Sequence, residues 1–256
     1  MKIEQQEPRI MASYSNDETM INGFKSGRDF YATIGTGVYH NSYWDNMERH
    51  EDGSPNPEGK TRRKKMKILH LGISYGMGAK SIAASLNIDI KEAQDIVDKF
   101  YLGFPKVKKW IEDTMEFAKK NVYVEDFWGR RRRLPDLALP RYEIKSTNES
   151  FGSVFNPILG CNGIKKEDPN VKKFEELLSN ARGKNQINSI IENAKKCGIQ
   201  IKDNSGFISQ AERQCVNARV QGGAASMSKL AMINVHNSKE LKELGFKLLI
   251  AVHDRP

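Results

Sequence analysis

The segment TRRKKMKILHLGISYGMG, Thr61 to Gly78, gathers basic side chains at one end and sets a tyrosine among glycines at the other. Read as a helix, it puts Arg63, Lys67, Leu71 and Tyr75 four residues apart on one slowly drifting face. At about 1.5 Å of rise per residue, Lys67 and Tyr75 stand ~12 Å apart, close to the reach of a nucleoside triphosphate. Cations toward the positive end of the helix suit phosphates, while Leu71 and Tyr75 suit sugar and base. The same residues also read as a basic amphipathic helix lying on nucleic acid.

A second constellation lies in AERQCVNARVQGGAASMSKLAMI, where Arg213, Asn217 and Gln221 fall at i, i+4 and i+8. Such donors reach the minor-groove acceptors shared by all base pairs, and so test pair geometry without reading sequence. A solvent-facing polar stripe is the competing reading. Arg130 to Arg133 form a run suited to phosphates or simply to water. At the C-terminal end, FKLLIAVHD alternates as a strand, and Asp254 closes an otherwise apolar row of Phe246, Leu248, Ile250 and Val252.

These groups need a frame. Residues 10 to 25 read as helical with breaks at Asn16 and Asp17, and SGRDFYATIGTGVY as a turn into a second short helix. His50 to Lys60, with two prolines and two glycines, reads as a loop. Asp89 and Glu92 form a capping pattern ahead of Ala93, Ile96, Val97 and Phe100, and Pro105 opens a helix whose buried face is Val107, Trp110, Ile111, Thr114 and Ala118. VYVEDFWGRRRRLPD reads as two short strands about Gly129. Residues 137–208 read as a helical insertion with two amphipathic patterns, and a long helix follows from Gln210 to about Val235.

Composition narrows the partners. Lys plus Arg number 41 against 32 Asp plus Glu, a net charge of +9 that favours a polyanion. No apolar run approaches the ~18 residues of a membrane span, so no membrane partner is expected, and the cysteines point to a cytoplasmic setting. Cys161, Cys197 and Cys215 are odd in number and lack metal-ligand spacing, which fits reduced, packed thiols.

RRKKMKILHLGISYGM resembles the fingers-helix motif of family A DNA polymerases, the bacterial DNA polymerase I and phage replicase group. Arg63, Lys67, Tyr75 and Gly76 match its pattern, and Leu71 stands where Phe or Tyr is usual. QQEPR is similar to the family's first palm motif through Gln5, Glu7 and Arg9, and AERQCVNARVQGG to its palm helix. LLIAVHD resembles the strand ending in its His-Asp-Glu turn.

The resemblance implies an α+β fold: a helical fingers subdomain attached to an incomplete antiparallel palm sheet. It divides the chain into a partial palm strand and helix (1–20), fingers (21–136), the insertion (137–208), and a palm helix with a truncated catalytic strand (209–256). It implies template-directed addition of dNTPs to a primer end, with Mg²⁺ held by Asp254. Arg63, Lys67, Leu71 and Tyr75 would bind the nucleotide, with Lys67 and Asp254 catalytic and Glu7 as the steric gate under the sugar. Tyr31 would stand where many relatives carry a phosphate-contacting histidine. Arg9, Arg213, Asn217, Gln221 and His253 would contact primer-template DNA.

Lys2 falls at the place of the family's other metal-binding aspartate, and Arg255 at that of its glutamate. The expectation is therefore a partial polymerase, completed by complementary polymerase fragments and inactive alone. A non-catalytic DNA-binding remnant is the alternative. A single-subunit RNA polymerase shares a similar helix, but Glu7 speaks against it.

Overall fold

The computed structural model describes residues 5–146 and 169–247, and places them in two compact units. One comprises the chain through Leu134 and from Ala211 onward; the other is Pro135–Gln210. The described fold is α+β, dominated by helices, with two separate two-stranded antiparallel sheets.

In the first unit, helix α1 (Gln6–Ser15) ends where Asn16 turns left-handed at φ 49°, and Asp17 then starts α2 (Glu18–Lys25). Asp17 serves two helices at once. Its Oδ1 accepts from Met20 N at 3.1 Å, and its Oδ2 from Lys106 N at 3.1 Å in the first turn of a distant helix. Both bonds satisfy orphan donors at helix starts, which explains how a carboxylate tolerates burial to 1% exposure. Asp29 caps α3 (Phe30–Tyr39) in the same way through Ala32 N.

Helix α4 (Pro57–Ser74) begins inside the stretch expected to be a loop, because Asn56 caps it and Pro57 suits its first position. It remains helical through the whole basic row and stops at Tyr75, whose successor Gly76 has φ +67°. No sequence expectation covers helix α5 (Ala79–Leu86), which buries Ile82, Ala83 and Leu86. The faces read for α6 (Ile90–Gly103) and α7 (Pro105–Asn121) are the buried ones, and Asp89 caps α6.

Met11, Met20, Phe30, Ile34, Met66, Leu69, Ile82 and Phe100 form the centre of this unit. His70 is fully buried among them, with Phe30 edge-on at 5.2 Å. Strands β1 (Tyr123–Glu125) and β2 (Arg131–Arg133) pair with Tyr123 opposite Arg133, turning at Gly129 as expected.

The second unit is not purely helical. Strand β3 (Tyr142–Ser146) pairs with β4 (Ile199–Asp203), which brings the two ends of the segment together, Tyr142 opposite Asp203. Against this sheet pack α8 (Pro169–Asn180) and α9 (Lys184–Lys196) around Phe174, Leu178, Ile190, Ala194 and Ile199. Leu177, beside Leu178 on α8, is 42% exposed. The long helix α10 (Ser205–Asn237) and the short α11 (Lys239–Glu243) follow. The strand expected over FKLLIAVHD falls, from residue 248, outside the described residues.

Candidate nucleotide and nucleic-acid site

Helix α4 presents the predicted row, but its members differ in what already holds them. Arg63 donates to Asp29 Oδ2 at 2.8 Å and to Glu48 Oε1 at 3.3 Å, and lies 5.7 Å over the Tyr31 ring. The bond to Asp29 lifts the Arg63 pKa above its ordinary range. Gln5 adds a second donor to Asp29 Oδ2 at 3.3 Å. Lys67, one turn on, is exposed and held by no other described residue. It is the cation of this row that no described residue holds. Leu71 is half-buried.

Tyr75 closes the row. Its hydroxyl lies 3.5 Å from Glu7 Oε2 and accepts from Gln221 Nε2 at 3.3 Å. Glu7 comes from α1 and Gln221 from α10, so three elements remote in sequence meet at one phenol. Gln6, beside Glu7, ties α1 to α10 through Ala224 O at 3.1 Å and Ser228 Oγ at 3.4 Å.

Tyr31 is buried, and burial first, with Asp29 second, pushes its pKa up to about 12. It therefore stays a neutral phenol rather than a phenolate, and unlike a histidine it has no cationic form to offer a phosphate. Gly72 and Gly76 are spaced for close approach, and what approaches is protein. A Cβ at Gly72 would lie 3.3 Å from Ile82, and one at Gly76 only 2.9 Å from Arg213 Cα.

On α10, Arg213 and Gln221 are exposed, and Asn217 is half-buried with its Oδ1 enclosed and unpartnered. Arg9 is exposed on α1, its guanidinium 4.6 Å from the Phe24 ring centroid. His253 and Asp254 lie outside the described residues, as does Lys2. Among the described residues no cluster of three or more His, Cys, Asp or Glu is arranged to hold a metal.

The model of DNA polymerase family A matches residues 3–154 and 164–255 of this chain. The chain belongs to DNA polymerase family A. Among curated family A relatives, it is 27% identical over 250 residues to the thermostable DNA polymerase I of Thermus thermophilus, covering 97% of this chain and 21% of that protein. To DNA polymerase I of Chloroflexus aurantiacus it is 25% identical over 248 residues, covering 97% and 18%. The chain thus spans about a fifth of the length of these curated relatives.

A solved family A structure, the POL domain of Pol1 from M. smegmatis in complex with a DNA primer-template and dNTP, is similar in fold. The TM-score is 0.60 at 22% identity, over 95% of this chain and 30% of that one. Among the described residues, no helix of this family A chain is long and apolar enough to cross a membrane.

Two residues of this family A chain escaped the sequence reading. In the sequence Asp29 reads only as part of a turn, although an acid ahead of a helix is a capping signal. Arg219 sits between members of the polar stripe without belonging to it. Its partners on three other elements could not be read from one sequence.

Proposed function

We propose that this chain supplies the nucleotide-gripping part of a template-directed DNA polymerase acting on primer-template DNA and dNTPs. Lys67 attracts the triphosphate, Tyr75 and Leu71 take base and sugar, and Glu7 fills the space beneath the sugar C2′. Arg213, Asn217 and Gln221 face the primer-template. The carrying observation is the convergence of Glu7, Tyr75 and Gln221 within 3.5 Å contacts, since these residues come from three separate motifs.

The phosphate-binding part follows from charge. Arg63 is shared between two carboxylates, so the first attraction for a triphosphate falls to exposed Lys67. Arg63 then shapes the pocket wall and holds Tyr31 and Asp29 in place. Mg²⁺ is the cofactor that this chemistry requires, and Asp254 is its proposed ligand in this chain. It supplies charge neutralisation for phosphoryl transfer. Lys2, at the aspartate position, cannot bind a metal. Extension is accordingly proposed to need complementary polymerase segments that bring a further carboxylate.

The test is binding. Fluorescence anisotropy of a labelled, dideoxy-terminated primer-template is followed as the templated dNTP is added. The proposal expects dNTP to tighten the complex, and Lys67→Ala and Tyr75→Ala each to weaken that effect by about tenfold or more, the size of one charge-assisted contact. A complex indifferent to dNTP in the unmodified chain would leave the DNA-binding remnant as the reading.

A further inference from the structure

Arg219 projects from the face of α10 opposite the polar stripe, into a junction of three other elements. Its guanidinium lies 4.4 Å from the Tyr14 ring centroid on α1 and 5.5 Å from that of Trp110 on α7. Nη1 donates to Thr114 Oγ1 at 2.8 Å on α7, and Nε donates to Glu125 O at 3.2 Å on β1. A planar cation thus stacks on two rings and spends two donors on two further groups, a set that only guanidinium satisfies together.

Three points fasten α1 along α10 in antiparallel order. Gln6 bonds Ala224 O and Ser228 Oγ at one end. Ile10 lies 3.4 Å from where a Cβ on Gly223 would stand, in the middle. Tyr14 under Arg219 is the other end. Glu7 rides on the first turn of that fastened helix, and Gln221 is two residues from Arg219 on α10. Both reach the Tyr75 hydroxyl, and the Glu7 contact, at 3.5 Å, has no slack for displacement.

We infer that Arg219 is a positioning residue for sugar selection: it fixes the register of α1 on α10, and through it the place of Glu7 beneath the nucleotide sugar. This rests on the reading of Glu7 and Tyr75 as the sugar gate. Removing the clamp frees the C-terminal end of α1 and lets Glu7 drift from Tyr75. The space that excludes a 2′-hydroxyl then opens, while the exposed donors that meet DNA stay on an intact α10.

The experiment compares dATP with ATP in tightening the complex of the full chain with a dideoxy-terminated primer-template that presents thymine. Arg219→Met keeps the bulk over the rings without charge or donors, and Arg219→Lys keeps the charge but gathers its donors on one nitrogen, which cannot span both acceptors as the planar fork does. Ile96→Ala, in the core of α6, is the control for a general loss of stability. The preference for dATP is expected to narrow about tenfold in Arg219→Met, the factor one hydrogen bond is worth, and less in Arg219→Lys. Primer-template affinity is expected to stay within about twofold, because no phosphate contact is removed.

An unchanged preference in a folded Arg219→Met protein, or equal narrowing in Ile96→Ala, would overturn the inference and leave the gate standing. No preference for dATP in the unmodified chain would overturn the gate, and this inference with it.

Discussion

Arg63 and Asp29 form an ion pair at 2.8 Å that joins the basic row of α4 to the N-terminus of α3. Asp29 thereby has two tasks, since its other oxygen caps α3 through Ala32 N at 3.0 Å. Two substitutions separate them. Asp29→Asn keeps an oxygen for the cap and loses the charge, whereas Asp29→Ala loses both. The expected cost in urea denaturation is about 1 kcal/mol for Asn and about 2 kcal/mol for Ala, a cap being worth ~1. Equal costs would show that the cap contributes nothing. Asp29→Asn also leaves Arg63 with Glu48 as its one charged partner among the described residues, so triphosphate affinity in the presence of primer-template is expected to rise.

His70 predicts how the chain responds to acid. Burial lowers its pKa from the ordinary 6.5 to about 3, so the folded protein holds a neutral imidazole where the unfolded chain binds a proton. The contribution of His70 is fully present above the unfolded value of about 6.5 and is lost as pH falls toward 3. Within that window the unfolded state carries the extra proton, and stability should decline by about 1.4 kcal/mol per pH unit from this group alone. Urea midpoints measured from pH 7 to pH 4 check it. A His70→Phe protein that folds should show a shallower decline over the same range.

The thiols differ in reach. Cys197 is exposed, while Cys215 is buried and burial raises its pKa to about 11. In a Cys161→Ser background, a thiol-disulfide reagent at pH 8 should titrate Cys197 in the native protein and Cys215 only after denaturant is added, because the thiolate is the reacting form. Rapid reaction of both thiols without denaturant would show that α10 opens readily.

How much of this could be read in the sequence depends on the range of the interaction. Caps are local, and Asp17, Asp29, Asn56 and Asp89 each precede the helix they start. The faces of α6 and α7 were legible because a period of 3.6 residues needs no knowledge of a partner. Strands β3 and β4 were not, since pairing across more than fifty residues leaves little local pattern in a five-residue strand. The spacing from Arg63 to Tyr75 placed four side chains on one helix face. It could not reveal that Asp29, 34 residues away, already holds the first of them. Arg219 is the extreme case, its partners lying 94 and 105 residues distant.

Gly76 offers a test of how closely α4 meets α10. It combines φ +67° with a neighbour, Arg213 Cα, 2.9 Å from where a Cβ would stand, and that neighbour is backbone in the middle of a helix. Gly129 shares a positive φ of +77° but has nothing within 4 Å of the added atom. Alanine at Gly129 should therefore cost only the left-handed strain, about 1 kcal/mol. Alanine at Gly76 adds a collision that neither helix can relieve by turning a side chain, and should cost roughly 3 kcal/mol in thermal or urea denaturation. Because the collision pushes α10 from the end of α4, Gly76→Ala should also separate Gln221 from Tyr75 and weaken dNTP-dependent tightening on primer-template. Gly129→Ala should leave that tightening intact. If the two alanine proteins were equally stable, the close packing of Gly76 on Arg213 would be refuted.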